Sequence, residues 1–476
     1  RYISVTGVQT CALPISSVAS AEVARVAVAG RTAVANGQAF GSIGPYETLT
    51  GTIEFALDPR DPHNAQVTDL ALAPKAPDGR VHFTADLVVL QPTAPAKGNG
   101  VLLIEVVNRG RIGVLEKFNG GPRPDGQQAI TDVGNGYLMR QGYTLVFVGW
   151  EFDLPPGTIR LDAPAIDSLR QAITVPFILD RASPDTTLAN APTYVPTNTA
   201  DAASTLTVRD HYWDRPMPVD RARWRFVNGP SGPPRLALDG GFEPGRMYEV
   251  TYVATGARLV GAGLAAIRDA ASAFRYRADL PVHGTRAYGY GFSQDGRFLR
   301  QFLYDGFNVD ERGRRVFDGV WSHIAGAARG EFNQRFGMPA ASSVLLTPLR
   351  FPFTTEDQTL DGERGSLLQR YRASERPKMF FTNTAVEYWG GGRAAALIHV
   401  SPDGARDLAI PADVRIYFLA GTQHEQAAFP PRQARGQQKD NPVPQREVFR
   451  ALLGGFHDWI TRDVPPPPSQ IGRAHV

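Results

Sequence analysis

The sequence predicts a protein of the α/β class, in which a mostly parallel central sheet is flanked by helices. Two observations support this fold class. The runs Val101–Val107 and Gly142–Trp150 are almost wholly apolar, as expected of strands that are covered on both faces. The stretch Arg286–Tyr304 changes within one or two residues from the alternation of a buried strand to helical spacing of its apolar residues. These three stretches are therefore assigned to the centre of the sheet.

Both ends of the sequence read as translated sequencing adapter. Val5–Ile15 matches the adapter in one sense, and Ile471–Val476 matches the same adapter in the opposite sense. Residues 1–15 and 471–476 are therefore excluded from the fold prediction as artefacts, and the rest is expected to be a metagenomic fragment of a longer reading frame. The exclusion removes the only cysteine, Cys11, and lowers the formal net charge from +3 to +1.

Composition limits the classes of function. With 42% hydrophobic residues the chain can bury a large core, and a chain of this length usually divides into more than one unit. A net charge near zero, with no basic run interleaved with aromatic residues, gives no reason to expect a nucleic-acid partner. No apolar run reaches the length of a membrane span. No histidines show the H-E-x-x-H spacing or another metal-binding spacing, so no metal and no cofactor are expected.

A segment of small residues follows the adapter-like start. Ala19-Ser-Ala21 has the small-x-small form of a signal-peptidase site, although a simple linker would have the same composition. The sequence therefore favours an extracytoplasmic protein, periplasmic or secreted, whose signal peptide is missing from the fragment.

The rest of the chain divides by its pattern. Residues 22–96 carry short alternating runs broken by Gly, Pro and Asn, which predict antiparallel strands in an N-terminal β-rich extension. Residues 97–150 and 246–463 form the predicted α/β core. Residues 151–245 are rich in Pro, Asp, Arg and aromatic residues and show no sustained period. A cap over the active site and a structural β extension both fit an insertion of that length. Residues 464–470 read as a proline-rich linker.

The turn inside Arg286–Tyr304 contains the segment Gly291-Phe-Ser293-Gln-Asp-Gly296. A serine between a strand and a helix is the geometry of a nucleophile elbow, where small neighbours let the two elements approach closely. The usual pattern is G-x-S-x-G, and here Asp295 stands where the second glycine normally falls. Ser293 is the candidate nucleophile, and an ordinary helix N-cap serine is the alternative.

A serine hydroxyl is a poor nucleophile until an imidazole takes its proton. The base is expected in the loop after the last predicted strand, Val414–Ala420, where His424 lies. His399, before that strand, and His457, in the closing helix, fit less well. His323 follows the strand after the elbow helix and is a candidate for lining the pocket, although a satisfied core histidine explains it more simply.

The imidazole in turn needs a carboxylate to fix its tautomer. This acid is expected after the penultimate strand, Lys378–Asn383, and Glu387 lies four residues beyond it. A surface glutamate beside an aromatic cluster fits Glu387 equally well. That cluster includes Trp389, a second candidate for lining the pocket. The other candidates for the acid are Asp403, Asp407, Asp361 and Asp357.

Two backbone N–H groups are expected to face the oxygen of a tetrahedral intermediate. The N–H of Gln294 follows from the geometry of the elbow, and the second donor is expected from the loop formed by Asn108, Arg109 and Gly110, directly after Val101–Val107. The guanidinium of Arg109 could alternatively bind an anionic group of a substrate, although such an arginine is more often structural.

Several motifs together resemble a known family. They are Gly291–Arg300, Leu303–Asn308, His323–Gly326, Asn383–Trp389 and Ala420–His424, with further similarity at Tyr46-Glu47, Val107–Gly110 and Gly149-Trp150. They are similar to the bacterial α/β-hydrolase-domain family of poorly characterised, often exported proteins, in which the position of Asp295 usually holds a small residue. The resemblance implies an α/β-hydrolase fold and esterase chemistry, but it implies no particular substrate. We expect a serine hydrolase that cleaves a small-molecule carboxylic ester. An acyltransferase or amidase with the same residues is an alternative. Another is a secreted binding protein on a decayed hydrolase scaffold, which Asp295 favours.

Overall fold

The computed structural model describes residues 23–124, 126, 128–188, 194–227, 235–341, 346, 348–389, 393–433 and 436–471. The adapter-like residues 1–15, the Ala19–Ala21 segment and residues 472–476 of the adapter-like end lie outside these ranges. Within the described ranges, no helix combines the length and the apolar character that crossing a membrane requires.

Three long strands begin the described chain: β1 (Val23–Ala33), β2 (Tyr46–Leu57) and β3 (Val81–Pro92). They pair antiparallel in the order β1-β2-β3, as the short alternating runs of this region predict. The strands β4 (Val101–Val106) and β5 (Thr144–Val148) follow, with the short helix α1 (Tyr137–Arg140) between them. All of β4 is buried, which agrees with its apolar sequence and its central position.

Short strands, β6 to β16, connect β5 to the second half of the fold. They are β6 (Leu161–Asp162), β7 (Ala165–Ile166), β8 (Gln171–Ile178), β9 (Ser183–Thr187), β10 (Val195–Pro196), β11 (Thr205–Arg209), β12 (Met217–Val219), β13 (Trp224–Val227), β14 (Arg235–Phe242), β15 (Met247–Thr255) and β16 (Ala257–Arg258). β15 pairs with β8, β10 and β11 in a five-stranded sheet, and β9, β13 and β14 form a three-stranded sheet. Pro176, Pro184 and Pro218 lie in β8, β9 and β12, and a residue without an N–H shortens a ladder of hydrogen bonds. The sequence therefore shows no sustained period here.

The second half of the chain alternates helices and strands. In order, these are α2 (Ala262–Tyr276), β17 (Arg286–Phe292), α3 (Gln294–Tyr304), β18 (Gly319–His323), β19 (Gln358–Leu360), β20 (Glu363–Gly365), β21 (Lys378–Thr384), α4 (Ala385–Trp389), β22 (Val414–Leu419) and α5 (Arg446–Arg462). The predicted strand-to-helix change at the elbow corresponds to β17 and α3, so this prediction is confirmed.

The central sheet has ten strands in the order β1-β2-β3-β5-β4-β17-β18-β21-β22, with β6 paired to β3. From β5 to β22 all neighbours are parallel. The predicted α/β fold with a mostly parallel sheet and flanking helices is thus confirmed. Because parallel strands end at the same edge, the residues that follow β4, β17, β21 and β22 lie at one edge of the sheet. Asn108, Ser293, Glu387 and His424 are among the polar residues at that edge.

Beneath this edge, β4 carries a buried carboxyl group. The side chain of Glu105 is completely buried, and its two oxygens accept the N–H groups of Gly113 (2.7 Å) and Val114 (3.0 Å). Burial raises the pKa of Glu105 to about 8, because the two N–H donors only partly replace the water that the carboxylate loses. Glu105 therefore fixes the chain that follows the Asn108 loop while it holds a proton at neutral pH.

Glu105 predicts a pH dependence of stability. Between its ordinary pKa near 4.5 and the folded value of about 8, the folded chain binds more protons than the unfolded chain, so stability falls as pH rises through this window. Between pH 5 and pH 8 the free energy of unfolding should decrease by a few kcal/mol less in Glu105→Gln than in the parent protein, since one pKa unit corresponds to about 1.4 kcal/mol. Urea unfolding of both proteins at pH 5, 6.5 and 8 measures the slopes. Identical slopes would contradict the assignment.

Candidate active site

Ser293 occupies the one-residue turn between β17 and α3. Its backbone has φ 60° and ψ −112°, a sparsely populated conformation for a residue with a side chain. The N–H of Ser293 donates to the carbonyl oxygen of His323 on β18 (2.9 Å). The Ser293 side chain makes no capping hydrogen bond to α3, so the N-cap alternative does not describe its contacts.

The close approach of β17 and α3 depends on Gly291 and Gly296. A Cβ atom at Gly291 would lie 2.5 Å from the carbonyl oxygen of Asp295, and one at Gly296 would lie 2.7 Å from the carbonyl oxygen of His323. Position 295, where the usual pattern has its second glycine, holds a buried aspartate. The spacing G-x-S-x-x-G therefore preserves the tight packing of an elbow, and Asp295 does not disrupt it.

The side chain of Asp295 connects the elbow to the loop after β4. One oxygen accepts the backbone N–H of Phe292 (3.0 Å), and the other accepts the side-chain amide of Asn108 (2.6 Å). The same Asn108 amide also donates to the carbonyl oxygen of Phe292 (3.0 Å). Burial raises the pKa of Asp295 to about 7, although these hydrogen bonds oppose the shift. In the sequence, Asp295 is only a departure from a pattern, and nothing near it indicates the contact with Asn108.

His424 lies in the loop after β22 and contacts the elbow serine. The distance from Ser293 Oγ to His424 Nε2 is 2.9 Å. The other ring nitrogen, Nδ1, lies 2.5 Å from Oε1 of Glu387, which follows β21 on α4. The structure thus brings together Ser293, His424 and Glu387 in one hydrogen-bonded chain, in the Ser, acid, His order of the sequence.

The carboxylate of Glu387 is buried and has a full set of donors. Its second oxygen accepts the N–H of Thr384 (3.1 Å) and the Thr384 hydroxyl. Nη1 of Arg393 lies 3.6 Å from the first oxygen. Burial alone would raise the pKa of Glu387, but the hydrogen bond and charge of His424, the Thr384 hydroxyl and Arg393 outweigh it and lower the pKa. Arg393 was not identified from the sequence, because nothing in its local pattern points to Glu387.

The other histidines and acids from the sequence analysis lie elsewhere. His399 contacts the Tyr388 hydroxyl (2.9 Å), and His457 contacts the Tyr288 hydroxyl (3.2 Å). Among the described residues, the carboxylate that contacts His424 is that of Glu387. The alternative acids have other surroundings: Asp403 binds the Ser401 hydroxyl, Asp357 pairs with Arg364, Asp407 lies 4.0 Å from His399, and Asp361 lies at an exposed turn.

A cavity of about 570 Å³ opens on Ser293 and His424. Asn108 and Arg109, from the predicted oxyanion loop, line it, and the loop turns through left-handed conformations at Arg109 (φ 50°) and Gly110 (φ 72°). The side chain of Gln294 is bound to Glu151 and to the carbonyl oxygen of Pro339 (2.7 Å), so its expected contribution is that of its backbone N–H.

The two residues proposed to line the pocket are not among the described residues around this cavity. His323 is completely buried, where its Nδ1 contacts the Thr382 hydroxyl (2.8 Å) and its ring packs edge-on against Phe449. His323 is thus a core histidine, as the simpler explanation has it, but it is not fully satisfied, because its Nε2 has no hydrogen-bond partner among the described residues. Trp389 is 60% exposed and packs against Tyr388. Across the described ranges, no group of three or more His, Cys, Asp and Glu side chains has an arrangement that could hold a metal ion.

Fold and site together define a hydrolase of the α/β-hydrolase class. Residues 218–475 match the family model described as alpha/beta hydrolase domain. The match covers more than half of the chain, and the chain belongs to this family. The resemblance found in the sequence is thereby confirmed.

Solved structures with a related fold were also found. A glucuronoyl esterase of carbohydrate esterase family 15 from Caldicellulosiruptor kristjansonii is similar at 12% identity, with 94% of this chain and 83% of that chain covered and a TM-score of 0.33. A glucuronoyl esterase from Solibacter usitatus is similar at 13% identity, with coverages of 87% and 83% and a TM-score of 0.31. A peroxisomal alpha-beta-hydrolase from Saccharomyces cerevisiae is similar at 11% identity, with coverages of 90% and 92% and a TM-score of 0.31. No curated protein matches the sequence.

The contacts of Asp295 predict the effect of its removal. Asp295→Ala leaves the Phe292 N–H without its buried acceptor and the Asn108 amide with only the Phe292 carbonyl oxygen, and each unsatisfied group costs about 1–3 kcal/mol. The free energy of unfolding should therefore fall by a few kcal/mol. Asp295→Asn, which keeps one oxygen in place, should lose less. Urea unfolding at pH 7 measures both variants, and an alanine variant as stable as the parent would contradict the role given to this side chain.

Proposed function

We propose that this chain is a serine hydrolase that cleaves carboxylic esters, with Ser293 as nucleophile, His424 as general base and Glu387 as the acid of the triad. The observation that carries the proposal is the hydrogen-bonded chain from Ser293 Oγ to His424 Nε2 (2.9 Å) and from His424 Nδ1 to Glu387 Oε1 (2.5 Å). Its position at the end of a parallel sheet, on a strained strand-to-helix turn, adds support.

The proposed reaction has two halves, formation of an acyl-enzyme and its hydrolysis, and each catalytic group acts in both. Ser293 Oγ attacks the ester carbonyl carbon while His424 Nε2 takes its proton. The carbonyl oxygen becomes an oxyanion that faces the N–H of Gln294 and a second N–H from the Asn108–Gly110 loop, and one such donor is worth about 3 kcal/mol. His424 then gives the proton to the leaving alcohol, and an acyl group remains on Ser293. Water, activated by the same imidazole, releases the acid and restores the serine.

Glu387 is suited to its proposed role by its surroundings. The lowered pKa keeps its carboxylate ionised at neutral pH, although the side chain is buried. The hydrogen bonds from Thr384 fix its orientation, so that Oε1 is directed at His424. A carboxylate held in this way selects the tautomer with a proton on Nδ1 and stabilises the imidazolium that forms when Ser293 loses its proton.

The start of the insertion forms part of the proposed substrate cavity. Asp153, Leu154, Pro155 and Thr158 line the cavity, and the carbonyl oxygen of Gly110 accepts the N–H of Ile159 (3.3 Å). These contacts support a cap role for at least the first residues of the predicted insertion, 151–245, because they place insertion side chains where a substrate would bind.

The alternative of a binding protein on a decayed scaffold rested on Asp295. Asp295 has a structural role in the elbow, because it accepts hydrogen bonds from Asn108 and Phe292. Glycine is also retained at positions 291 and 296, where the packing requires it. Asp295 therefore no longer favours the non-catalytic alternative.

A fluorophosphonate probe tests the proposal directly. The intact protein should become covalently labelled at Ser293, because the probe reacts with a serine that an imidazole has activated. Ser293→Ala should not be labelled and should not hydrolyse a panel of aryl and alkyl esters of graded chain length. The absence of labelling in the folded parent protein, or labelling that survives in the Ser293→Ala variant, would refute the proposal.

The acid of the triad is tested by paired amide substitutions. Glu387→Gln should reduce kcat by roughly a thousandfold or more and leave the fold intact, because the neutral amide neither selects the tautomer nor stabilises the imidazolium. Asp403→Asn is the matched control, since this aspartate is another acid near His424 in sequence but binds the Ser401 hydroxyl. It should keep near-normal turnover. Near-normal turnover of Glu387→Gln would remove Glu387 from the triad, and a large loss in Asp403→Asn would point to Asp403.

A further inference from the structure

The guanidinium of Arg109 lines the cavity beside Ser293, and no carboxylate of the described residues pairs with it. Its Nε donates to the carbonyl oxygen of Ala340 (3.2 Å) and its Nη1 to the side-chain oxygen of Asn108 (3.3 Å). Both acceptors are neutral, and within the described ranges Arg109 forms no ion pair with an acid. A guanidinium has five N–H donors in a planar fork, so most of this donor set is available to a ligand in the cavity.

The backbone at Arg109 supports a role for its side chain. With φ 50°, this residue adopts a left-handed conformation, which glycine tolerates far better than a residue with a Cβ atom. Such strain tends to occur at functional sites. Replacing Arg109 with glycine would relieve the strain and lose the charge.

The other charged groups of the wall are already engaged. Arg123 pairs with Glu425 (3.2 Å), and both residues line the cavity. Asp153 lies in the same wall, where one oxygen accepts the N–H of Ala340 (2.9 Å). Burial raises the pKa of Asp153 to about 6, so it titrates close to neutral pH. Asp153 therefore offers Arg109 only an indirect and partly ionised counter-charge.

Two further arginines, Arg297 and Arg393, lie near the nucleophile. Arg297, one helical turn after Ser293, is 5% exposed, and its Nε has no hydrogen-bond partner. Burial and the charges of Arg393 and Arg109 together lower its pKa to about 9, although the charges of Asp295 and Glu151 oppose the shift. Arg393 has Glu387 as its partner, but Glu387 also serves His424. The guanidinium groups of Arg297, Arg393 and Arg109 therefore repel one another, and Asp295 and Glu151 offset part of this repulsion.

We propose that the cavity binds esters that carry a free carboxylate in addition to the ester to be cleaved, and that the Arg109 guanidinium binds this carboxylate. The inference rests on the proposed hydrolase function and specifies its substrate class. A carboxylate matches the planar fork of a guanidinium, and charge-assisted hydrogen bonds are about twice as strong as neutral ones. The volume of about 570 Å³ is sufficient for a small ester with a second functional group.

The positive charge of the arginines could instead stabilise the oxyanion, and this role predicts a different substrate preference. If the arginines only stabilise the oxyanion, neutral and anionic esters benefit equally, because both form the same tetrahedral intermediate. If Arg109 binds a substrate carboxylate, the benefit is confined to esters that carry one. The comparison of matched neutral and anionic esters therefore separates the two roles.

The test uses pairs of esters that differ only in a carboxylate and a carboxamide. One pair, monomethyl adipate and methyl adipamate, carries the difference in the acyl part. The other pair, the butyrate esters of glycolate and of glycolamide, carries it in the alcohol part. The protein should prefer the carboxylate member of at least one pair by tenfold or more in kcat/KM. Arg109→Met should abolish that preference with a much smaller loss on the neutral member, and Arg109→Lys should retain part of it.

Arg364→Met is the matched control, because Arg364 is largely exposed and pairs with Asp357 away from the cavity lining. This variant should keep the parent preference. Equal kcat/KM within both pairs would overturn the inference, as would an equal loss on both members in Arg109→Met. A preference that Arg109→Met leaves unchanged would also overturn it.

A second measurement does not require turnover of any chosen ester. Adipate should slow fluorophosphonate labelling of Ser293 at concentrations at which adipamide does not, and Arg109→Met should remove this protection. Labelling that adipate does not slow, together with equal use of the paired esters, would refute the carboxylate site and leave the hydrolase proposal standing. A protein that is neither labelled nor active on any ester would refute both.

Discussion

The backbone turn at Ser293 is the constraint on which the candidate site depends. Its φ of 60° and ψ of −112° persist only because neighbouring contacts over-determine them. The N–H of Ser293 is held by the carbonyl oxygen of His323, and the N–H of Phe292 is held by Asp295. Gly291 and Gly296 let α3 pack against β17 and β18 at distances that a Cβ atom would forbid. The turn directs Ser293 Oγ towards His424, so strand packing and the proposed chemistry depend on the same few atoms.

Three buried carboxyl groups near this edge differ in charge because their partners differ. Glu105 and Asp295 meet N–H donors from the backbone or from an amide, which do not offset burial, and their pKa values rise to about 8 and about 7. Glu387 meets His424 and Arg393, whose positive charge outweighs burial and lowers its pKa. All three carboxyl groups are removed from water, but with different results. Glu105 and Asp295, which fix loops, favour the protonated form, whereas Glu387, which faces His424, is ionised.

The sequence predicted the parts of the fold and the candidate site that depend on chain order and local period. Three features can be read from the sequence alone: the apolar run of β4, the strand-to-helix change at Ser293, and the order of the serine, acid and histidine. Because parallel strands end at one edge, that order pointed to His424 as the base and made Glu387 the first of several candidates for the acid. It could not exclude Asp403, whose contact with Ser401 is visible only in three dimensions.

The sequence could not reveal partners that come from distant parts of the chain. Asp295 accepts a hydrogen bond from Asn108, 187 residues away. Arg393 is close to Glu387 in the sequence, but no regular pattern there indicates that the two side chains meet. Within residues 151–245 the sequence allowed a structural β extension but did not locate the individual short strands, since their prolines and their length remove the alternation that identifies a strand.

The loop after β4 has two separable roles in the proposed chemistry. Its backbone turn is fixed by reciprocal hydrogen bonds between Asn108 and Arg111 (3.1 Å each) and by the Asn108 amide that joins the elbow. The guanidinium of Arg109 extends from this fixed turn to Ala340 at the cavity wall. Because the backbone is held by other residues, a change of the side chain at position 109 alters the charge of the cavity without necessarily moving the N–H donors. Substrate choice can therefore change at this position independently of the oxyanion contacts, although both arise from one short loop.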